Sequence, residues 1–187
     1  MKSLAEAKWE FVERELIAGS ISSAFQRARV YADAEGYTDS NRDKLREELT
    51  KKLKAVAKEY ATGVSSDRHT DNIKTIADDL TAQFKGKGLL RDDRFRIGIA
   101  QKALNLYLKW LWCLGKIPTP PHCPFDWGII AKLRPTDAQG QQLQWTKLVS
   151  VEEYQALVNA ALKKMKGTEH KTLSDWELHE WKKEATE

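Results

Sequence analysis

Cysteine is scarce in this chain: of 187 residues only Cys113 and Cys123 carry a thiol. Two thiols make no disulfide framework, so a reducing, cytoplasmic setting is the expectation. Long apolar runs are missing as well. No stretch reaches the roughly 18 apolar residues that a membrane-spanning helix needs, and no membrane partner is expected. The opening segment "MKSLAEAKWEFVEREL" is amphipathic and carries acids, which does not fit a secretory leader. Internal repeats, strongly alternating strand patterns and long low-complexity tracts are absent too. What remains is a chain that is 41% hydrophobic and 31% charged, enough to bury a core and stay solvated. Its length suits one domain or a tight two-lobed one.

Helical periodicity fills most of that chain. Apolar positions recur with a helical period over 3–18 and again from Ser20 to about Ala34, with Gly36 placed to end the second helix. Leu45, Leu49, Leu53, Val56 and Tyr60 form the stripe of a helix that opens at Ser40 or Asn41 and closes near Gly63. Another is expected from a cap at Thr70 or Asp71 to Gly86, and another from about Ala100 to Leu114. Residues 115–126 hold Pro118, Pro120, Pro121 and Pro124, four of the five prolines, and read as an extended connector. Ser150 and Glu153 form a capping box before a helix running to about Gly167. A last helix covers about 172–187, capped at Ser174. The fold class is all-α, with seven or eight helices: a helical lobe over 1–90, a central segment over 91–134 and C-terminal helices over 135–187, all in one domain.

Charge is unevenly spread. From Lys85 to Arg134 ten Lys/Arg face three Asp, a net +7 inside a chain of net +4, so the rest carries −3. Basic patches attract phosphate, nucleic acid above all. A basic face that is simply solvated fits the same count.

Within the island lies the stretch "RIGIAQKALNLYLKWLWCLGKIPTPPHCPFDWGII", Arg96 to Ile130. On a helical wheel Lys102, Asn105 and Lys109 form one narrow polar stripe, continued by Cys113, on a helix otherwise apolar nearly all round. Such a stripe faces either water or a cleft. The helix from Lys102 to Leu114 is about 18 Å long. A polyproline-like segment from Pro118 to Asp126 covers about 25–28 Å. If the chain reverses at Gly115–Lys116, Asp126 can return beside Lys102, and stiff prolines would make that placement reproducible.

These residues resemble a family. "IGIAQKALNLYL" resembles the second half of the helix-hairpin-helix motif of DNA glycosylases, with Gly98 and Lys102 on its first glycine and its lysine, and Ala100 where the second glycine stands. "HCPFDWGII" resembles the segment after that helix, where an aspartate follows a proline and opens an apolar helix. About 35 residues carry the resemblance, which is nearest in style to the archaeal 8-oxoguanine glycosylase/AP lyases and their degenerate hairpin. It implies two helical lobes around a central hairpin-like element. With two cysteines, a four-cysteine iron–sulfur cluster is excluded, and no cofactor is expected.

The activity implied is excision of a flipped base from double-stranded DNA, by a protein acting as a monomer. Lys102 would attack the sugar C1′ and Asp126 would be the essential carboxylate. A protonated amine is a poor nucleophile, and burial beside other cations is what frees one. Asp126 would stabilise positive charge building on the deoxyribose and help proton transfer. Lys87, Arg91, Arg94, Arg96, Gly98 and Gln101 would bind DNA phosphates, and Asn105, Trp112 and Trp127 would line the base pocket. The base would be an oxidised purine such as 8-oxoguanine, or a hypermodified base of phage DNA such as glucosylated hydroxymethylcytosine. The second would make this an antiviral defence enzyme.

Two other readings use the same residues. Cys113, His122 and Cys123, with His69, His170 or His179, could be considered for zinc. Structural zinc ligands usually come as spaced pairs, however, and adjacent His122 and Cys123 point apart, so no metal is expected. A non-enzymatic helical module for nucleic acid or a protein would need only the basic island and the seven tryptophans.

Overall fold

Serine and aspartate caps set where several helices begin. The computed structural model describes residues 2–32 and 39–182. Among these the chain is mostly helical, with seven α-helices and no strands. They are α1 (Leu4–Phe25), α2 (Asp39–Ala57), α3 (Ser66–Phe84), α4 (Ile97–Cys113), α5 (Trp127–Leu133), α6 (Val151–Met165) and α7 (Leu173–Lys182). Ser3 and Ser150 each form a capping box, with Glu6 and Glu153. The second of these is the box expected from sequence. Such a cap stabilises a helix by about 1 kcal/mol. None of the seven helices is long and apolar enough to cross a membrane.

Several boundaries differ from the sequence reading. The two helices expected before residue 34 are one. Ser20 does not cap a second helix, because its hydroxyl donates back to the Leu16 carbonyl at 2.8 Å and α1 runs through it. The expected stop at Gly36, and residues 183–187 of the last helix, lie outside the described residues. The third helix starts at Ser66, not near Thr70: Ser65 is its cap, and Thr70 turns its hydroxyl onto the Ser66 carbonyl. Ser174 lies inside α7, where Thr172 accepts the Asp175 amide at 3.1 Å in the cap's place.

Helices α1–α4 pack on one another, α5–α7 form a second group, and α4 joins them through α6 and the turn Trp145–Lys147. One apolar core runs through both, from Ile17 and Leu45 by way of Ala103 and Leu104 to Leu157 and Trp176. The all-α class is as expected, but a helix-hairpin-helix does not stand out in it. The connector before α4 holds a single 3-10 turn, Arg91–Asp93, with Asp92 and Asp93 in left-handed backbone (φ 56° and 50°). The preceding helix, α3, packs on α4, and the residues between them, 85–96, hold no helix but that turn.

Candidate active site

The site is built by one face of α4, from Lys102 to Cys113, and the return segment that leads from that helix to α5. Gly115 takes φ 66°, its amide donates to Trp112 and the Lys116 amide donates to Leu111, a Schellman motif. Glycine stands here because that left-handed turn penalises a Cβ. The chain reverses and runs back along α4 to Asp126. Three buried side chains fix the return. Gln101 accepts the Phe125 amide at 3.2 Å and donates to the Phe125 carbonyl at 2.9 Å. Ser174 donates between the Pro120 and His122 carbonyls, at 2.9 and 2.8 Å. His122 sits between the Ser66 hydroxyl (2.7 Å) and the Tyr154 hydroxyl (2.8 Å).

Asp126 then caps α5, accepting the Ile129 amide on Oδ1 at 3.1 Å. Its Oδ2 accepts from Lys102 Nζ at 2.9 Å. The lysine side chain is only 9% exposed, the aspartate 29%. Trp145 lies beneath the ammonium, its ring centre 5.9 Å away. Burial works to raise the Asp126 pKa, but the Lys102 charge, its hydrogen bond and the Ile129 amide more than offset that. The carboxyl is held below its usual range.

The pair opens on a cleft of about 320 Å3 whose walls include Leu106, Trp110, Pro124 and Leu178. That volume lies at the lower end of small-molecule sites, roughly 300–1,000 Å3. A second ion pair lines the same cleft. Lys109 Nζ donates to both oxygens of Glu177, at 3.0 and 2.7 Å. Glu177 is 2% exposed, and that burial, with the nearby Asp126 charge, raises its pKa although Lys109 pulls the other way.

The other sequence-derived candidates scatter. Lys87 and Arg94 are exposed, and Arg91 is half-buried. Three expected DNA contacts are instead internal, and each is a correction. Arg96 is buried, its guanidinium donating to the Ala28 and Arg29 carbonyls that follow α1. Gln101 is fully buried in its grip on Phe125. The Gly98 amide, expected to meet phosphate, donates to the Leu148 carbonyl at 3.1 Å. A Cβ there would stand 1.7 Å from the Trp145 carbonyl oxygen, so this glycine serves a close helix-to-loop approach.

Of the expected pocket residues, Asn105 points away from the cleft into a buried polar network, donating to Gln101 at 3.2 Å and lying 3.4 Å from the Tyr154 hydroxyl. Trp112 is not on the cleft wall; Trp110 is. Trp127 is 62% exposed and lines a separate cavity of about 240 Å3 with Arg27, Gln144, Trp145 and Thr146. Sequence reasoning missed Glu177, Trp110 and Arg27. Trp110 was within reach, since Lys102, Leu106, Trp110 and Cys113 share one helical face. Glu177 carried no signal, being one acid among several in a charged terminal helix.

No family model matches the chain, and the curated proteins and the solved structures compared with it yield no match either.

Proposed function

We propose that the protein is a DNA glycosylase with AP-lyase activity, in which Lys102 is the nucleophile and Asp126 the essential carboxylate. The observation that carries this reading is the 2.9 Å contact between the two side chains at the wall of a cleft with apolar sides. A lysine and an aspartate held together by a proline-stiffened return, and opening on space that fits a base, suit the chemistry.

In this reading double-stranded DNA lies over the basic face, with exposed Lys87, Arg94 and Arg27 near its phosphates. The target nucleotide is flipped into the cleft, where Trp110, Leu106 and Pro124 replace its stacking partners. Lys102 Nζ donates a proton in a hydrogen bond to Asp126. That proton passes to the departing base as the glycosidic bond breaks. The positive charge left on the sugar is stabilised by Asp126, and the freed amine bonds to C1′. The nitrogen then gives up a proton, O4′ takes one, and the C1′–O4′ bond breaks to open the sugar and leave an iminium at C1′; loss of a C2′ proton to solvent or a neighbouring base then expels the 3′ phosphate by β-elimination. The base is an oxidised purine or a hypermodified phage base.

The test is trapping. Incubation with abasic-site DNA and borohydride should give a covalent adduct that disappears in Lys102→Ala. Release of free base, screened over oxidised and phage-modified DNA, should fail in Asp126→Asn. No adduct in the wild type, with base release absent or unaffected by Asp126→Asn, would overturn the assignment and favour a non-enzymatic helical binding module.

A further inference from the structure

Away from the cleft, the loop after α6 and the outer face of α7 bring together His170, Asp175 and His179. His170 Nδ1 lies 3.0 Å from Asp175 Oδ2, and His179 Nδ1 lies 3.3 Å from Asp175 Oδ1. One ligand atom from each residue can be chosen so that all three fall within 4.8 Å of one another. The two imidazoles face each other with centres 4.6 Å apart, tilted by 36°. His179 Nδ1 is also 2.9 Å from the Asp175 carbonyl, an i to i+4 contact that a metal ligand bond would replace.

We propose that His170, Asp175 and His179 bind a first-row divalent transition metal, of the class of zinc, as a clip between the α6–α7 loop and α7. The donor set of two imidazoles and one carboxylate suits such ions better than calcium or magnesium, which prefer all-oxygen shells. Ligands about 2.0–2.1 Å from zinc in a tetrahedron stand roughly 3.3–3.4 Å apart, close to the 3.0 and 3.3 Å separations here. The two histidines meet different Asp175 oxygens, so binding one ion requires them to close on it from within the present 4.8 Å spread. The site is also presented rather than loose. Asp175 and His179 are one turn apart on a helix. His170 sits in a loop folded onto itself, with the Thr168 amide and hydroxyl both on the Met165 carbonyl, at 3.0 and 2.7 Å.

The site is separate from the cleft. On α7, at about 100° per residue, Glu177 falls roughly opposite Asp175 and His179. A metal here would hold the outer side of the helix whose inner side carries Glu177 to Lys109. Its role is therefore to fix α7, not to take part in bond breaking.

Metal-stripped full-length protein, in a Cys113→Ser background that removes the exposed thiol, should bind one equivalent of Co2+ with the absorption of a nitrogen- and oxygen-ligated ion. Zn2+ should displace it and raise the melting temperature. His179→Asn should weaken binding by at least about tenfold, since even loss of a supporting hydrogen bond to a metal ligand costs about 10–100-fold. His170→Ala should do the same, with circular dichroism checking that each variant is folded without metal. Absence of stoichiometric binding, or binding that survives both substitutions in folded protein, would overturn the proposal.

Discussion

Two lysine–carboxylate pairs line one cleft, seven residues apart on α4, yet their carboxylates behave oppositely. Asp126 is half-buried, caps a helix and is held low; Glu177 is fully buried within a helix and is pushed up. The difference lies in what each acid receives besides its lysine. Asp126 accepts a backbone amide and stands at the positive end of α5. Glu177 has the Lys109 ammonium on both oxygens and a burial cost to meet. The capped acid keeps its charge and remains open to the cleft, whereas the buried one is tuned toward neutrality and bound to the fold. Asp126 is therefore suited to stabilising a cation that appears and vanishes, and Glu177 to holding α7 against α4.

The largest expected effect breaks the first pair. If the protein releases bases as proposed, Asp126→Asn should lower that release by about a hundred- to ten-thousandfold. Asparagine caps helices about as well as aspartate, so the urea midpoint should move little. A large stability loss with a small activity loss would place Asp126 beside Glu177 as a structural acid. The second pair should respond the other way round. Lys109→Met leaves Glu177 buried without its partner, at a cost of about 3–5 kcal/mol near neutral pH. The cost should shrink as pH falls, because Glu177 can then take a proton. Lys109→Met/Glu177→Leu should recover most of the loss, read by urea denaturation.

Acid sharpens the contrast. Burial lowers the His122 pKa to about 4, and burial together with His122 holds His69 well below its usual value. The unfolded chain takes up these protons below its ordinary value of 6.5, while the native state refuses them. Stability is thus whole above pH 6.5 and falls as pH drops toward 4, with His122 alone accounting for on the order of 3 kcal/mol. The raised acid Glu177 works in the opposite direction, and Asp126 keeps its charge through this window. Urea denaturation at pH 7 and 4.5 should show the loss, and His122→Gln should flatten it. An unchanged midpoint in the wild type would mean that the histidines are not held neutral.

Much of this was legible locally. The stripe from Leu45 to Tyr60, the Ser150–Glu153 box and the Gly115 reversal each depend on neighbours in sequence. The approach of Asp126 to Lys102 was permitted by two lengths, of a helix and of a stiff segment, although nothing in the sequence fixes the direction of the return. What was not legible depends on distant partners. Arg96, Gly98 and Gln101 resemble phosphate contacts by type, but the Ala28, Leu148 and Phe125 backbone groups that engage them lie 24 to 68 residues away. Glu177 looked like surface charge, because its burial depends on where α7 docks. Asn105 was placed on the right stripe but on the buried edge of it, where Tyr154 and Gln101 meet it.

One hydroxyl ties the two pairs together. Ser174 belongs to α7, three residues before Glu177, and it donates to the return that carries Asp126. Ser174→Ala removes that donor. The Pro120 and His122 carbonyls lose one partner, a change of about 1 kcal/mol in stability. The two sites should then diverge. Lys109 and Glu177 keep their own contacts, so α7 should stay docked and the urea midpoint should drop only slightly. The return is still gripped by Gln101 and His122 but has lost its hold at Pro120, so Asp126 should sample a wider range of positions. Base release should fall by less than about tenfold, with the pH dependence of stability unchanged. A loss as deep as that of Asp126→Asn would mean that α7 directly positions the carboxylate proposed to act in catalysis. An unaltered rate would mean that Gln101 and His122 suffice to hold it.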